Sequence, residues 1–135
     1  MDGVILTPLK KIHHPKGDIY HAMKKSDEGY NGFGEVYFST VHKNDIKGWK
    51  KHLKMTLNII VPIGEIKFVV YNLDTKEFFS AVISNNNYQR LTINPGLWVA
   101  FQGMQKENIL LNIASTEHDP NEAKNLALDQ IRYAW

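Results

Sequence analysis

Lys47, Lys50, His52 and Lys54 fall within one short run, Ile46-Lys47-Gly48-Trp49-Lys50-Lys51-His52-Leu53-Lys54-Met55-Thr56. Cations alternate there with bulky apolar residues. On an extended strand successive side chains point to opposite faces, so Lys50, His52 and Lys54 share one face and Lys51, Leu53 and Met55 the other. Lysines and a histidine in a row are costly to bury against hydrocarbon. Two arrangements accommodate them: a wet cavity that receives an anion, or a solvated edge strand whose lysines block aggregation. This is the one constellation in the chain suited to a polyanion, and the phosphates of a nucleotide sugar would satisfy it. Trp49 has the ring to stack on a base or sugar, and equally the bulk to fill a core.

Other chemistries find little support. The histidines are His13, His14, His21, His42, His52 and His118, and no pair has the spacing of a helical metal motif. Metal-binding β-barrels use a His-x-His pair followed by a glutamate. Here the matching place holds Lys50 and His52, and the next acid is Glu65. A lysine beside a histidine repels a divalent cation, so no metal site and no cofactor are expected. The absence of cysteine excludes disulfides, thiolate catalysis and the usual zinc-finger spacings. There is no glycine-rich phosphate loop before a helix and no nucleophile elbow. Pro95-Gly96-Leu97-Trp98 reads as turn geometry followed by core.

The elements that must position the basic run are strands. The 135 residues suit a single domain spanning 1–135. After the basic run, an apolar stretch extends from Leu57 to Tyr71, interrupted only at Pro62-Ile63-Gly64-Glu65, as for two strands about a tight turn. Val4-Ile5-Leu6 makes a short first strand. Glu35 to Val41 alternates, with Val36, Phe38 and Thr40 on one side and Tyr37, Ser39 and Val41 on the other. Further strands are expected over Glu77–Ile83, Tyr88–Ile93, Leu97–Phe101 and Asn108–Ala114, separated by turn residues. Short helices are expected near both ends. One is capped by Asp18 and runs to Lys25; the other begins at Asp119-Pro120. The last residues, Ile131-Arg132-Tyr133-Ala134-Trp135, are too aromatic for a free tail and should pack on the body or on a neighbour. Eight or so short strands at regular spacing predict an all-β sandwich or barrel.

A formal net charge of +2 argues against a dedicated nucleic-acid binder, which shows a strong basic excess. No apolar run approaches the ~18 residues of a membrane span, and the first residues lack a secretory pattern. A cytoplasmic location away from membranes is the expectation.

Gly34-Glu35-Val36-Tyr37-Phe38-Ser39-Thr40-Val41, Lys47-Gly48-Trp49-Lys50-Lys51-His52, Leu91-Thr92-Ile93-Asn94-Pro95-Gly96-Leu97-Trp98 and His118-Asp119-Pro120 together resemble the dTDP-4-dehydrorhamnose 3,5-epimerase family. They are similar, more distantly, to the dTDP-sugar 3,4-ketoisomerases. The resemblance extends over about Gly3 to Trp135. It implies a cupin-type double-stranded β-helix, or jelly roll, that forms a homodimer and binds a nucleoside-diphosphate sugar in the barrel mouth. Lys47 then matches an arginine that contacts the diphosphate, with help from Lys54 if that side chain points into the mouth. Lys50 matches the epimerases' catalytic histidine, and His52 the second histidine of the ketoisomerases' pair. The acid that supports the histidine falls near Phe68. The tyrosine acid falls near Asn112, which is left as a substrate contact together with Trp49.

The chemistry the resemblance implies is proton removal beside a ketone, then return of the proton at another face or carbon. It needs a base at the substrate carbon, an acid, and cations to hold the enolate. His52 is the expected base and acid in turn, because imidazole titrates near neutral pH. Lys50 is expected to steady the enolate. The first function class is therefore an epimerase or isomerase acting on a 4-keto nucleotide sugar in surface-polysaccharide precursor synthesis. The second is a cupin that binds a nucleotide sugar or carbohydrate without turnover, favoured by the missing histidine and tyrosine. The third, a single-stranded nucleic-acid binder, rests on the interleaved lysines and Trp49.

Overall fold

Twelve short strands and one 3-10 turn make up the regular structure of the computed structural model, which describes residues 1–135. The strands are β1 (Val4–Pro8), β2 (Lys11–Ile12), β3 (Ile19–Tyr20), β4 (Glu35–Thr40), β5 (Ile46–His52), β6 (Leu57–Ile63), β7 (Glu65–Asn72), β8 (Glu77–Ser84), β9 (Gln89–Ile93), β10 (Trp98–Gly103), β11 (Ile109–Ala114) and β12 (Ala123–Asn125). Two five-stranded antiparallel sheets face each other. One runs β1-β9-β6-β11-β4 and the other β12-β5-β10-β7-β8. Neighbours that are distant in sequence lie side by side in both, which is the jelly-roll arrangement.

The apolar run from Leu57 to Tyr71 supplies β6 and β7, which lie inside their sheets. Most of their residues are buried, and those that are not lie mainly at the strand ends. Leu57, Ile59 and Val61 point inward from one sheet, and Ile66, Phe68 and Val70 from the other, to form the core between the layers. Each such side chain contributes about 1.5–3 kcal/mol on burial. A second apolar cluster lies outside the sandwich, where Trp49, Val69, Tyr71, Trp98 and Ala100 meet Ile131. Tyr133 and Trp135 pack against it, so the aromatic end docks on the body of its own chain.

The helices expected near the termini do not form. Ile19 and Tyr20 pair as β3 with β2, and Tyr88 Oη donates to the carbonyl of His21 at 2.9 Å. Eight residues make a marginal helix in isolation, and the hairpin takes up the backbone of Ile19 to His21 instead. At the other end Asp119 does cap a turn, its Oδ1 accepting from the Asn121 N–H at 2.9 Å. The chain then joins a sheet as β12, because β5 offers an open edge. The single 3-10 turn, Leu128–Gln130, follows.

Candidate active site

The basic run becomes β5, and its faces are set by a bulge. Lys50 pairs with Val99 on β10, and Lys47 with Phe101. Three steps along β5 therefore oppose two along β10, the signature of one inserted residue. Strict alternation would place Lys47 on the face opposite Lys50. The bulge at Gly48-Trp49 brings Lys47, Lys50 and His52 to one face, where all three line a cavity of about 600 Å³. Gly48 is required there. Its φ is 146°, and a Cβ would collide with Ala100.

The cavity lies between the sheets. Leu57, Ile59, Val99, Phe101 and Leu110 form its apolar floor, and Tyr37 and Ser39 enter from β4. This combination of apolar walls and a few convergent polar groups is that of a ligand site. Lys47 is held in place: its Nζ donates to Ser39 Oγ at 3.1 Å and to the Thr40 carbonyl at 3.0 Å.

His52 is oriented by a residue distant in sequence. Its Nδ1 lies 2.7 Å from Oε1 of Glu122. Glu122 Oε2 accepts from the backbone N–H groups of Leu53, Lys54 and Met55, each at 2.9 Å. Burial alone would raise this carboxyl. The His52 contact and the backbone donors outweigh it and hold the group at about 2. Glu122 is therefore ionised at neutral pH. A carboxylate beside Nδ1 selects the tautomer with hydrogen on Nδ1, leaving the Nε2 lone pair for the cavity.

Asn112 orients a second group. Its Oδ1 accepts from the Asn58 N–H at 3.1 Å, and its Nδ2 donates to Tyr37 Oη at 3.0 Å. Tyr37 Oη is thus an acceptor in that bond and keeps its own hydrogen to donate into the cavity. Asn112 and Tyr37 face each other across the β11–β4 ladder. The position near which the resemblance puts a tyrosine acid is Asn112 itself; a tyrosine hydroxyl lies beside it, contributed by the neighbouring strand.

Two expected substrate contacts lie elsewhere. Trp49 is 1% exposed on the far side of β5, where its Nε1 donates to the Leu128 carbonyl at 3.3 Å. Alternation from Lys50 already turns it outward, and the reading as a single-stranded nucleic-acid binder loses its aromatic. Lys54 follows the end of β5; its backbone N–H serves Glu122 and its side chain is not among those lining the cavity. Phe68, at the place of the expected acid, is buried core; the acid comes instead from Glu122. Tyr37, Glu122 and His118, which also lines the cavity, were not singled out as site residues. Tyr37 had a signal in its alternation with Ser39. Glu122 had none beyond the Asp-Pro-Asn-Glu turn. No cluster of three His, Asp or Glu side chains suited to a metal ion forms in the fold, and no helix is long and apolar enough to cross a membrane.

Two facing antiparallel sheets with a basic, imidazole-bearing cavity between them define a cupin-type jelly roll. Within that class the chain belongs to the FdtA family, WxcM-like, C-terminal, whose model matches residues 2–127. No curated protein matches the sequence. Among solved structures, a dTDP sugar isomerase from Desulfovibrio desulfuricans G20 is similar with a TM-score of 0.93 and 26% identity, over 99% of this chain and 91% of that one. The sugar 3,4-ketoisomerase QdtA from Thermoanaerobacterium thermosaccharolyticum, in complex with TDP, shares the fold with a TM-score of 0.82 and 22% identity, over 97% and 93% of the two chains. The epimerase RmlC from Legionella pneumophila Philadelphia 1, in complex with dTDP-4-keto-L-rhamnose, does so with a TM-score of 0.86 and 15% identity, over 100% and 79%.

Proposed function

We propose that this chain is a nucleotide-sugar isomerase or epimerase that removes a proton beside the ketone of a 4-keto dTDP-sugar or related substrate, in surface-polysaccharide precursor synthesis. The observation that carries the reading is the His52–Glu122 pair opening onto a cavity that also holds Lys47 and Lys50. The dTDP-sugar enzymes among its structural neighbours support the substrate class.

The nucleotide's diphosphate binds at Lys47, a charge-assisted contact. His52 Nε2 takes the proton from the carbon next to the ketone, and the imidazolium formed is stabilised by Glu122. Electron density moves onto the ketone oxygen, where the Lys50 ammonium or the Tyr37 hydroxyl holds the enolate. Where that carbon bears a hydroxyl, the intermediate is an enediolate: the hydroxyl's hydrogen passes to the former ketone oxygen, and return of the proton from His52 to the former ketone carbon gives a shifted ketone. Delivery to the opposite face of the same carbon, with Tyr37 as the acid, gives an epimer. Lys50 takes the position of a catalytic histidine in the resembling epimerases, so the base role passes to His52.

Incubation with a 4-keto dTDP-sugar in heavy water tests this. Deuterium should enter at the carbon beside the ketone, even where net conversion is small. A second reading, a sugar-nucleotide binder without turnover, is favoured by Lys50 and Asn112 standing in place of the histidine and tyrosine. Binding of the 4-keto sugar nucleotide without deuterium incorporation would establish it.

A further inference from the structure

Strand β5 is gripped on both faces by one segment. Glu122 sits on the cavity side, its carboxylate on His52 and on three backbone N–H groups. The next residues form β12, which pairs Ala123 with His52 and Asn125 with Lys50. Leu126 and Trp49 then exchange two backbone hydrogen bonds, at 3.1 and 3.0 Å. Beyond Leu126 the chain passes to the outer face of the same sheet. There Ile131 is buried against Trp49 and Trp98. Trp135 packs on Trp49 with ring centroids 6.1 Å apart, and Tyr133 lies 5.2 Å from both Trp135 and Phe78. Lys67 Nζ lies over the Tyr133 and Trp135 rings, at 5.0 and 5.8 Å.

Beyond the hydrogen bonds of Glu122 itself, the strand pairing on the cavity side is weak. Strand β12 has three residues, a single neighbour and polar side chains at Lys124 and Asn125. So short an edge strand does not hold independently. The apolar attachment of the segment is all on the outer face, at Leu126, Ile131, Tyr133 and Trp135. Trp49 links the two sides, because it belongs to the strand that carries Lys47, Lys50 and His52.

We propose that Ile131–Trp135 is a remote positioning segment for the candidate active site: docking of Ile131 and Trp135 on Trp49 holds Glu122 on His52. None of these residues reaches the cavity, so Trp135 and Ile131 are positioning residues rather than catalytic ones. The consequence for turnover rests on the function proposed above; the consequence for the His52 ring does not.

The test is the nitrogen NMR spectrum of the His52 ring in the full chain without ligand, comparing the parent protein with Trp135→Ala and Trp135→Phe. In the parent the ring should be fixed with hydrogen on Nδ1. In Trp135→Ala it should move toward the tautomer mixture of a free imidazole, as it does in Glu122→Ala, and Trp135→Phe should restore the parent signals. Thymidine diphosphate affinity should stay within about twofold, as for a substitution remote from the site. The kcat on a 4-keto substrate should fall roughly 10- to 100-fold with KM little changed. A folded Trp135→Ala protein with parent-like His52 signals overturns the proposal. If Trp135→Ala does not fold, hydrogen exchange in the parent decides. The Leu53 and Leu126 amides and the Trp49 indole N–H, which donates to the Leu128 carbonyl at 3.3 Å, should open together, as one cooperative unit. Exchange of the indole with both amides still protected overturns the proposal. Absence of turnover would count against the proposed function and leave the ring and exchange readouts to judge the positioning role.

Discussion

His52 Nδ1 and Glu122 Oε1 stand 2.7 Å apart, joined across 70 positions of sequence. Both side chains are largely buried, with relative exposures of 13% and 5%. The contact orients the imidazole for the base role proposed above, since the carboxylate dictates which ring nitrogen keeps its hydrogen.

Replacement of that base should separate chemistry from binding. His52→Asn keeps a similar size and hydrogen-bonding capacity but cannot shuttle a proton. It should abolish deuterium exchange into a 4-keto dTDP-sugar and leave dTDP affinity nearly unchanged by calorimetry. Persistent exchange in the variant would move the base to Lys50.

Tyr37→Phe removes the hydroxyl that Asn112 orients. Turnover should fall roughly 100-fold, the usual range for losing a positioned acid. Stability should fall by about 1 kcal/mol, because Asn112 Nδ2 loses its acceptor. Unchanged turnover would mean that Tyr37 only lines the wall.

Lys47→Ala should weaken dTDP binding by ~1–3 kcal/mol, the range for a charge-assisted contact. Equal affinity of parent and variant in a titration would place the anion site elsewhere. Lys54→Ala provides the contrast. Its side chain is outside the cavity lining, so it should leave affinity within the scatter of the measurement.

Acid should loosen the protein through Glu122. Its carboxyl titrates at about 2 in the folded chain, against an ordinary 4.5. A lowered folded value means that the unfolded chain binds more protons between those limits. The contribution is therefore complete above about pH 4.5 and is lost as pH falls toward 2. Urea unfolding across that window should show a loss on the order of 1–3 kcal/mol. Glu122→Gln should be less stable at neutral pH and show a shallower acid slope; a slope equal to that of the parent would assign acid sensitivity to other groups.

The protein is expected to form a homodimer. Strand β4 is a sheet edge whose outward residues Val36 and Phe38 are 49% and 71% exposed. An unpaired edge with an apolar face invites pairing with another chain. Tyr133 and Trp135 are occupied within the chain, and Phe38 on β4 is the most exposed of the large apolar side chains, so the partner is expected at β4. Light scattering at micromolar concentration should return twice the chain mass, and Phe38→Glu should return the monomer. A monomeric parent would remove the expectation.

Local pattern determined much about this protein. Alternation and turn residues are properties of neighbouring positions, so the all-β class, the apolar strands from Leu57 to Tyr71 and the shared face of Lys50 and His52 could be read along the chain. Motif resemblance added the jelly roll and placed Lys47, Lys50 and His52 where the cavity lies. The tertiary structure decided what depends on partners. The face of Lys47 turns on one inserted residue opposite β10, and a period of two reverses with every such insertion. The ends were expected to be helical because capping residues are visible in sequence. They became strand and extended chain because an open edge at β5 and a bare aromatic face were waiting, and neither is visible locally. Glu122 reached His52 for the same reason: a buried carboxylate is stable only where several donors converge, and that convergence exists only once the sheets have closed.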